Sequence, residues 1–311
     1  MAHEHGHQQA DQNTHGDRAG HGENGQRGRH GAGGGHGHAG GHGGPGQHGG
    51  HGDGLAQMLD LDAEVLQDYY REVIGWAGSL VPANPVIVDL GAGTGAGTIA
   101  LARHLPGATL TAVDLDEEML THLRERAAEA GAGDRVRAVQ ADLDGDWPPL
   151  GPADLVWASA SMHHLADPAR TVAQVRDVLR PGGVFMITEL DAFPRFLTDP
   201  AGAAVEERAH AEMARMRVEG GLHMNEDWAA RLEAAGFELV GERRVEVEIA
   251  SPLPPTAVKY AQVALRRSAQ RLADRLPAED VRALQEYAES APARGDLTVR
   301  ATRDIWIGRR P

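Results

Sequence analysis

Val86-Ile87-Val88-Asp89-Leu90-Gly91-Ala92-Gly93-Thr94-Gly95-Ala96-Gly97 is a strand-type apolar run that ends in a glycine loop, and a helical pattern from Thr98 to Leu105 follows it. A strand that stops in Gly-x-Gly-x-Gly lets the backbone turn tightly and come within van der Waals distance of a ligand. The helix start behind the loop offers unpaired N–H groups and a partial positive charge to a polar or anionic group. An adenosine-bearing cofactor is the first expectation.

The glycines alone do not choose the cofactor, because Gly91, Gly93 and Ala96 also satisfy Gly-x-Gly-x-x-Ala, the dinucleotide pattern. Asp89 tilts the reading. It lies at the strand's end, where a pyrophosphate is repelled and a sulfonium or ammonium is attracted. Outward from this stretch, strand patterns at Val86–Asp89, Thr109–Asp114, Val136–Gln140, Asp154–Ser159 and Val184–Glu189 alternate with helical patterns at Thr98–Leu105, Glu117–Ala130 and Pro168–Leu179. Such alternation means crossover connections and a parallel sheet. Ligands in these sheets bind outside the carboxyl ends of the strands. Asp89, Asp114, Asp142 and the pair His163-His164 all fall at such ends.

Asp89 with its glycine loop, Asp114, Asp142 and the turn Leu179-Arg180-Pro181-Gly182-Gly183 occur in the order of a class I S-adenosylmethionine (SAM)-dependent methyltransferase. From about Leu55 onward the chain resembles that family in its small-molecule branch, of the type 11/12 kind. The resemblance implies an α/β fold: a Rossmann-like seven-stranded sheet of order 3-2-1-4-5-7-6, its seventh strand antiparallel, flanked by helices. It also implies SAM as cofactor, transfer of its methyl group to an O or N atom, and a small-molecule acceptor. Asp89 would meet the methionine ammonium. Gly91, Ala92, Gly93 and Gly95 would give close backbone approach, and Ser159 and Ala160 would flank the methionyl part. Asp114 would hold the ribose hydroxyls with Leu115 beside it, although a helix N-cap is the alternative role for Asp114. Asp142 would take the adenine amino group, with Asp144 and Asp146 as rival acids, and Leu143 and Met162 would sandwich the adenine or fill space near it.

The substrate side carries fewer signals. His163 or His164 is the candidate base, since an unperturbed imidazole titrates near neutrality; a structural tie for this loop is the competing role. Glu189 and Arg195 follow the fifth strand, and His223 precedes the next helix. Tyr69 and Tyr70, on a helix before the first strand, either line the pocket or pack that helix onto the domain. A nicotinamide-dependent oxidoreductase shares the first strand, the glycine loop and Asp114, and so remains an alternative.

Composition sets the outer limits. Residues 1–54 hold 11 of the 17 histidines with almost no apolar side chains, so they are expected to be a disordered tail before a methyltransferase domain at 55–311. Flexible histidine tracts bind divalent metals adventitiously, which leaves a metal-binding accessory role as a further alternative. Within the domain, 55–80 reads as a helical cap, and 191–225 and 252–295 read as helical lid insertions. The net charge of −15, with Lys259 as the single lysine, gives no basic stripe for nucleic acid. With no cysteine there is neither a disulfide nor a thiolate metal site, and no further metal site is expected. No apolar run approaches the roughly 20 residues of a membrane span. A cytoplasmic monomer or homodimer is the expectation.

Overall fold

The computed structural model describes residues 52–224 and 226–311. The histidine-rich tail, with the disorder and metal binding expected of it, lies outside the described residues, apart from Gly52–Gly54, which open the first helix. Two helices come first, α1 (Gly52–Val65) and α2 (Gln67–Gly78). The alternating core follows as β1 (Val86–Leu90), α3 (Ala96–His104), β2 (Thr109–Asp114), α4 (Glu117–Glu129), β3 (Val136–Gln140), β4 (Ala153–Ser159), α5 (Pro168–Val178) and β5 (Leu179–Leu190). Beyond it lie α6 (Pro200–Glu219), α7 (Trp228–Ala234), β6 (Glu238–Ile249), α8 (Pro255–Arg271), α9 (Ala278–Ser290) and β7 (Val299–Arg309).

All seven strands form one sheet in the order β3-β2-β1-β4-β5-β7-β6, the order that the resemblance implied. The first five run parallel, and β7 is antiparallel to both of its neighbours. The central strands are apolar on both faces because helices cover both. Residue parity sorts them. Ile87, Leu155, Trp157 and Met186 pack toward α2 and α3, whereas Val88, Leu90, Val156, Ala158, Phe185 and Ile187 pack toward α5 and α7.

One local expectation is corrected. The run Arg180-Pro181-Gly182-Gly183 is not a turn ahead of the strand but an arch inside β5. Leu179 already pairs with Ala153 and Val184 with Leu155, so the residues between them bulge out of register. Gly182, at φ +82°, lets this arch form, and its N–H donates to the Arg310 carbonyl at 2.7 Å. Arg180 reaches back to Asp154 at 2.6 Å, and the second oxygen of Asp154 accepts the Val86 N–H at 2.8 Å, so the arch braces the start of β1.

The two helical insertions share one apolar core. Phe196, Leu197, Val205 and Met213 pack with Tyr260, Leu265, Leu284 and Ala288, and Met58 and Leu61 of α1 join them. A half-buried polar knot fastens this layer to the sheet: Asp62 accepts hydrogen bonds from the Tyr260 hydroxyl (2.5 Å) and from the buried Arg303 guanidinium of β7 (3.1 Å). Removing one partner of a buried charge pair strands the other charge. Asp62→Ala is therefore expected to lower unfolding stability by roughly 3–5 kcal/mol in denaturant titration. A loss below about 1 kcal/mol would mean that water already satisfies Arg303.

Candidate active site

Gly91 and Gly95 hold the loop after β1 in left-handed backbone, at φ +69° and +82°. A Cβ on Gly91 would stand 2.4 Å from Ser161 Cβ, and one on Gly95 would stand 2.6 Å from Leu123 Cγ. The Gly91 and Ala92 N–H groups both donate to the Val113 carbonyl, at 2.8 and 3.0 Å. Gly93 N–H donates to Asp114 Oδ2 at 2.7 Å, and Asp116 N–H donates to Asp114 Oδ1 at 3.0 Å. Asp116, not Asp114, caps α4 through the Glu118 and Met119 N–H groups. Asp114 is thus released from the capping role and braces the glycine loop. Beside it Leu115 is 63% exposed, one of only two such large apolar side chains among the described residues.

Asp89 is 2% exposed and accepts the Thr98 hydroxyl at 2.5 Å. Burial pushes its pKa up to about 7; the Thr98 bond opposes the rise and the Asp114 charge adds to it. In the sequence Thr98 marks only a helix start, and nothing in its spacing makes it the partner of Asp89.

The three acids after β3 separate by their partners. Asp144 Oδ1 accepts the Ala166 N–H at 2.8 Å, and Asp146 pairs with Arg170 at 2.6 Å, so both hold the loop before α5. Asp142 is exposed, and its carboxylate has one bond, from the Asp144 N–H at 2.9 Å. Leu143 and Met162 are buried in the core below.

At the end of β4, Ser159 accepts the Thr188 hydroxyl at 2.9 Å. Ala160 takes φ +53°, a left-handed conformation that costs a non-glycine residue on the order of 1 kcal/mol. It is held there by its N–H on the Thr188 carbonyl (2.8 Å), and the Ser161 hydroxyl is bound to the Leu90 carbonyl (2.8 Å). The histidine pair follows in a single 3-10 turn, Met162–His164. His163 is buried, and its Nδ1 lies 2.6 Å from Glu189 Oε2 while its N–H reaches Oε1 at 3.3 Å. A carboxylate partner places the ring proton on Nδ1, which leaves the Nε2 lone pair free. His164 stacks on His163 with ring centroids 4.1 Å apart. The residue is exposed overall, yet desolvation of its ring, then His163, Arg217 and Arg271, push its pKa down to about 4. His164 is therefore neutral at pH 7 and a weak base.

Tyr69 and Tyr70 are buried and meet edge to face at 5.4 Å. The Tyr69 hydroxyl has no hydrogen-bond partner among the described residues. Burial raises its pKa to about 12, with Arg303, Thr188 and Glu189 among its neighbours. It lies where β4 and β5 end. Arg195 is engaged elsewhere: its side chain pairs with Glu207 at 2.7 Å and its backbone bridges to Arg300. His223 Nδ1 faces Glu226 at 2.9 Å, and its N–H donates to the His163 carbonyl at 2.9 Å, which ties the 191–225 insertion to the histidine turn. Among the described residues no three His, Asp or Glu side chains group as a metal site, and no helix is long and apolar enough to cross a membrane.

The geometry therefore gathers Asp89, the glycine loop, Asp114, Asp142, Ser159 and His163–Glu189 along one sheet edge. Residues 88–185 match the methyltransferase domain family. A solved structure from Bacillus halodurans, of a protein assigned to the methyltransferases and 19% identical, aligns over 77% of this chain and 99% of its own with a TM-score of 0.50. The fold is that of a class I methyltransferase. Among curated proteins, trans-aconitate 2-methyltransferase of Azoarcus sp. is 35% identical over 42% of this chain and 47% of its own length. The 27-O-demethylrifamycin SV methyltransferase of Amycolatopsis mediterranei is 30% identical over 49% and 53%. The chain spans about half the length of such relatives. An oxidoreductase of the doubly wound kind has the order 3-2-1-4-5-6, without an antiparallel strand inserted between the last two.

Gly91→Ala is expected to cost about 2–4 kcal/mol, the left-handed penalty plus the clash with Ser161. Gly131→Ala (φ +68°, nothing within 4 Å of the added Cβ) should cost only about 1 kcal/mol. Thermal or chemical unfolding of the two variants makes the comparison.

Proposed function

We propose that this chain binds S-adenosylmethionine along the carboxyl edge of β1, β2 and β3 and transfers its methyl group to an O or N atom of a small molecule. The observation that carries the reading is the set of acids at three successive strand ends, each with different neighbours. Asp89 is buried and faces the place of a cationic group. Asp114 is fixed beside a glycine loop whose backbone a ligand can approach. Asp142 is the one acid after β3 that neither pairs with an arginine nor holds the loop before α5. The names of the curated relatives support the same class.

Transfer is an in-line displacement. S-adenosylmethionine, held by Asp89, the glycine loop, Asp114 and Asp142, would supply a methyl group on a sulfonium, whose displacement by the acceptor's lone pair would leave the S–C electron pair on a neutral thioether. The protein's work is to align the three atoms and exclude water. Where the acceptor carries a proton, His163 is the better-placed base. Glu189 fixes its tautomer and would stabilise the imidazolium, as in other carboxylate–histidine pairs. His223 holds the backbone of the same turn.

The test is calorimetric titration with S-adenosylhomocysteine. Asp114→Ala should weaken binding by ~1–3 kcal/mol, the scale of a lost charge-assisted hydrogen bond. Equal binding in both proteins, or none in either, would overturn the site. A pH series adds a second check. Protonated Asp89 is favoured in the folded chain, so its contribution to stability is full below about pH 4 and lost as pH rises through about 7. The ammonium of the ligand needs the carboxylate, so binding should instead tighten from pH 6 to pH 8. In Asp89→Asn both pH dependences should flatten.

A further inference from the structure

The helices α6, α8 and α9 and the segments that flank them are rich in arginine, and four of these guanidinium groups are matched. Arg208 makes a two-pronged pair with Asp280 (2.7 and 2.6 Å), Arg215 pairs with Glu212, Arg195 with Glu207 (2.7 Å) and Arg275 with Glu219 (2.8 Å). Arg217, Arg266, Arg267, Arg271 and Arg282 have no carboxylate partner among the described residues, in a chain whose 45 acidic residues outnumber its 30 basic ones. Of these five, Arg217 and Arg271 are the two that act on His164. Arg217 is half-buried, with its guanidinium 4.0 Å from the centre of the Phe193 ring, so its head group is already oriented.

Three contacts place these cations at the end of the sheet that carries the histidine turn. The Arg275–Glu219 bridge clamps the carboxyl end of α8 to that of α6, one turn beyond Arg271 and two residues beyond Arg217. Leu222 N–H donates to the Arg217 carbonyl at 3.0 Å, and the next residue donates to the His163 carbonyl at 2.9 Å. Arg217 thus sits where the chain leaves α6 for the histidine turn. Arg217 and Arg271 both press on His164, and Arg271 also depresses the proton affinity of Arg217 and of Arg267. The carboxylate that acts on Arg217 is Glu189, and both of its oxygens are directed to His163. Like charges held together without a counter-charge are unfavourable, and an anion that enters between them removes the penalty.

We propose that Arg217 and Arg271 bind an anionic group, a carboxylate or a phosphate, on the acceptor molecule and so select acidic acceptors and orient them beside His163 and His164. The substrate class rests on the methyl-transfer reading above. Both residues lie outside the matched span 88–185, on the insertions rather than on the nucleotide-binding core. Guanidinium groups suit this task because they stay charged and offer planar pairs of donors to carboxylate or phosphate oxygens.

The experiment titrates citrate, inorganic pyrophosphate and neutral triethyl citrate into the full chain saturated with S-adenosylhomocysteine. Citrate or pyrophosphate should bind and triethyl citrate should not; the tighter of the two anions identifies the group as carboxylate or phosphate. Arg217→Gln and Arg271→Gln should each weaken anion binding at least tenfold, while affinity for S-adenosylhomocysteine changes less than twofold. Arg208→Gln, from a matched pair, should leave anion binding unchanged. Melting temperatures of the two cluster variants should not fall, because each removes a repulsion. Absence of anion binding, equal loss in Arg208→Gln, or binding of the neutral ester as tight as citrate would overturn the assignment. If S-adenosylhomocysteine fails to bind while the arginine-dependent anion binding persists, the methyl-transfer reading falls and the anion site stands.

Discussion

The hydrogen bond from Gly93 N–H to the Asp114 carboxylate, 2.7 Å long, ties the loop leaving β1 to the end of β2. Its position follows from register. Leu90 pairs with Val113 on one side and with Ala158 on the other, so the loops leaving β1, β2 and β4 emerge side by side. With the loop pinned, the left-handed turn at Gly91 has a fixed direction and α3 starts where Thr98 can reach Asp89. The same register brings Ser161 against Gly91, which leaves no room for a side chain there. An edge built from separate loops needs such cross-ties, because loop backbone has no ladder of its own to hold it.

Two buried carboxylates on this edge are handled differently, and the difference divides labour. Glu189 has both oxygens occupied by His163, a closed arrangement that fixes a ring. Asp89 has Thr98 alone as its hydrogen-bond partner, through hydroxyl and backbone, and a pKa near neutrality, an open arrangement that a positively charged group would complete. A carboxylate left incompletely satisfied in a dry place is costly to the folded chain, and the stored cost is recovered when a cation arrives. His164, neutral and flanked by arginines, belongs to neither arrangement.

The parallel core was legible because its signals are local and repeated. Apolar runs of strand length, each bounded by turn or helical signals, mark β1, β2 and β3 to within a residue. The edge acids were legible for the same reason, since strand ends mark themselves. Partners distant in sequence were not. Which of Asp142, Asp144 and Asp146 faces a ligand depends on Ala166 and Arg170, more than 20 residues away. Glu189 was placed in the pocket by position, but its commitment to His163 spans 26 residues and has no periodic signature. Nothing in the composition of α6 separates Arg217 from the other arginines there; its seat on the Phe193 ring and its action on His164 do. The arch at Arg180–Gly183 has the sequence of a turn because Pro-Gly-Gly carries turn chemistry whether or not a strand has already begun.

The place of β7 between β5 and β6 has a consequence for how the chain matures. Through Val299–Arg309, β7 supplies the partner for all of β6 and for the outer edge of β5. During synthesis, β5 and the long β6 therefore emerge with unpaired backbone edges and wait through two helices before their common neighbour arrives. Unpaired edges are templates for wrong partners. The alternating Glu246 and Glu248 of β6, set among Arg243 and Arg244, keep that waiting strand charged, a gatekeeper pattern against self-association. The half of the sheet that binds nucleotides elsewhere in this fold class can form early, whereas the half that carries the insertions closes last. In a crowded cell, the interval between the two is when this protein is most exposed to loss.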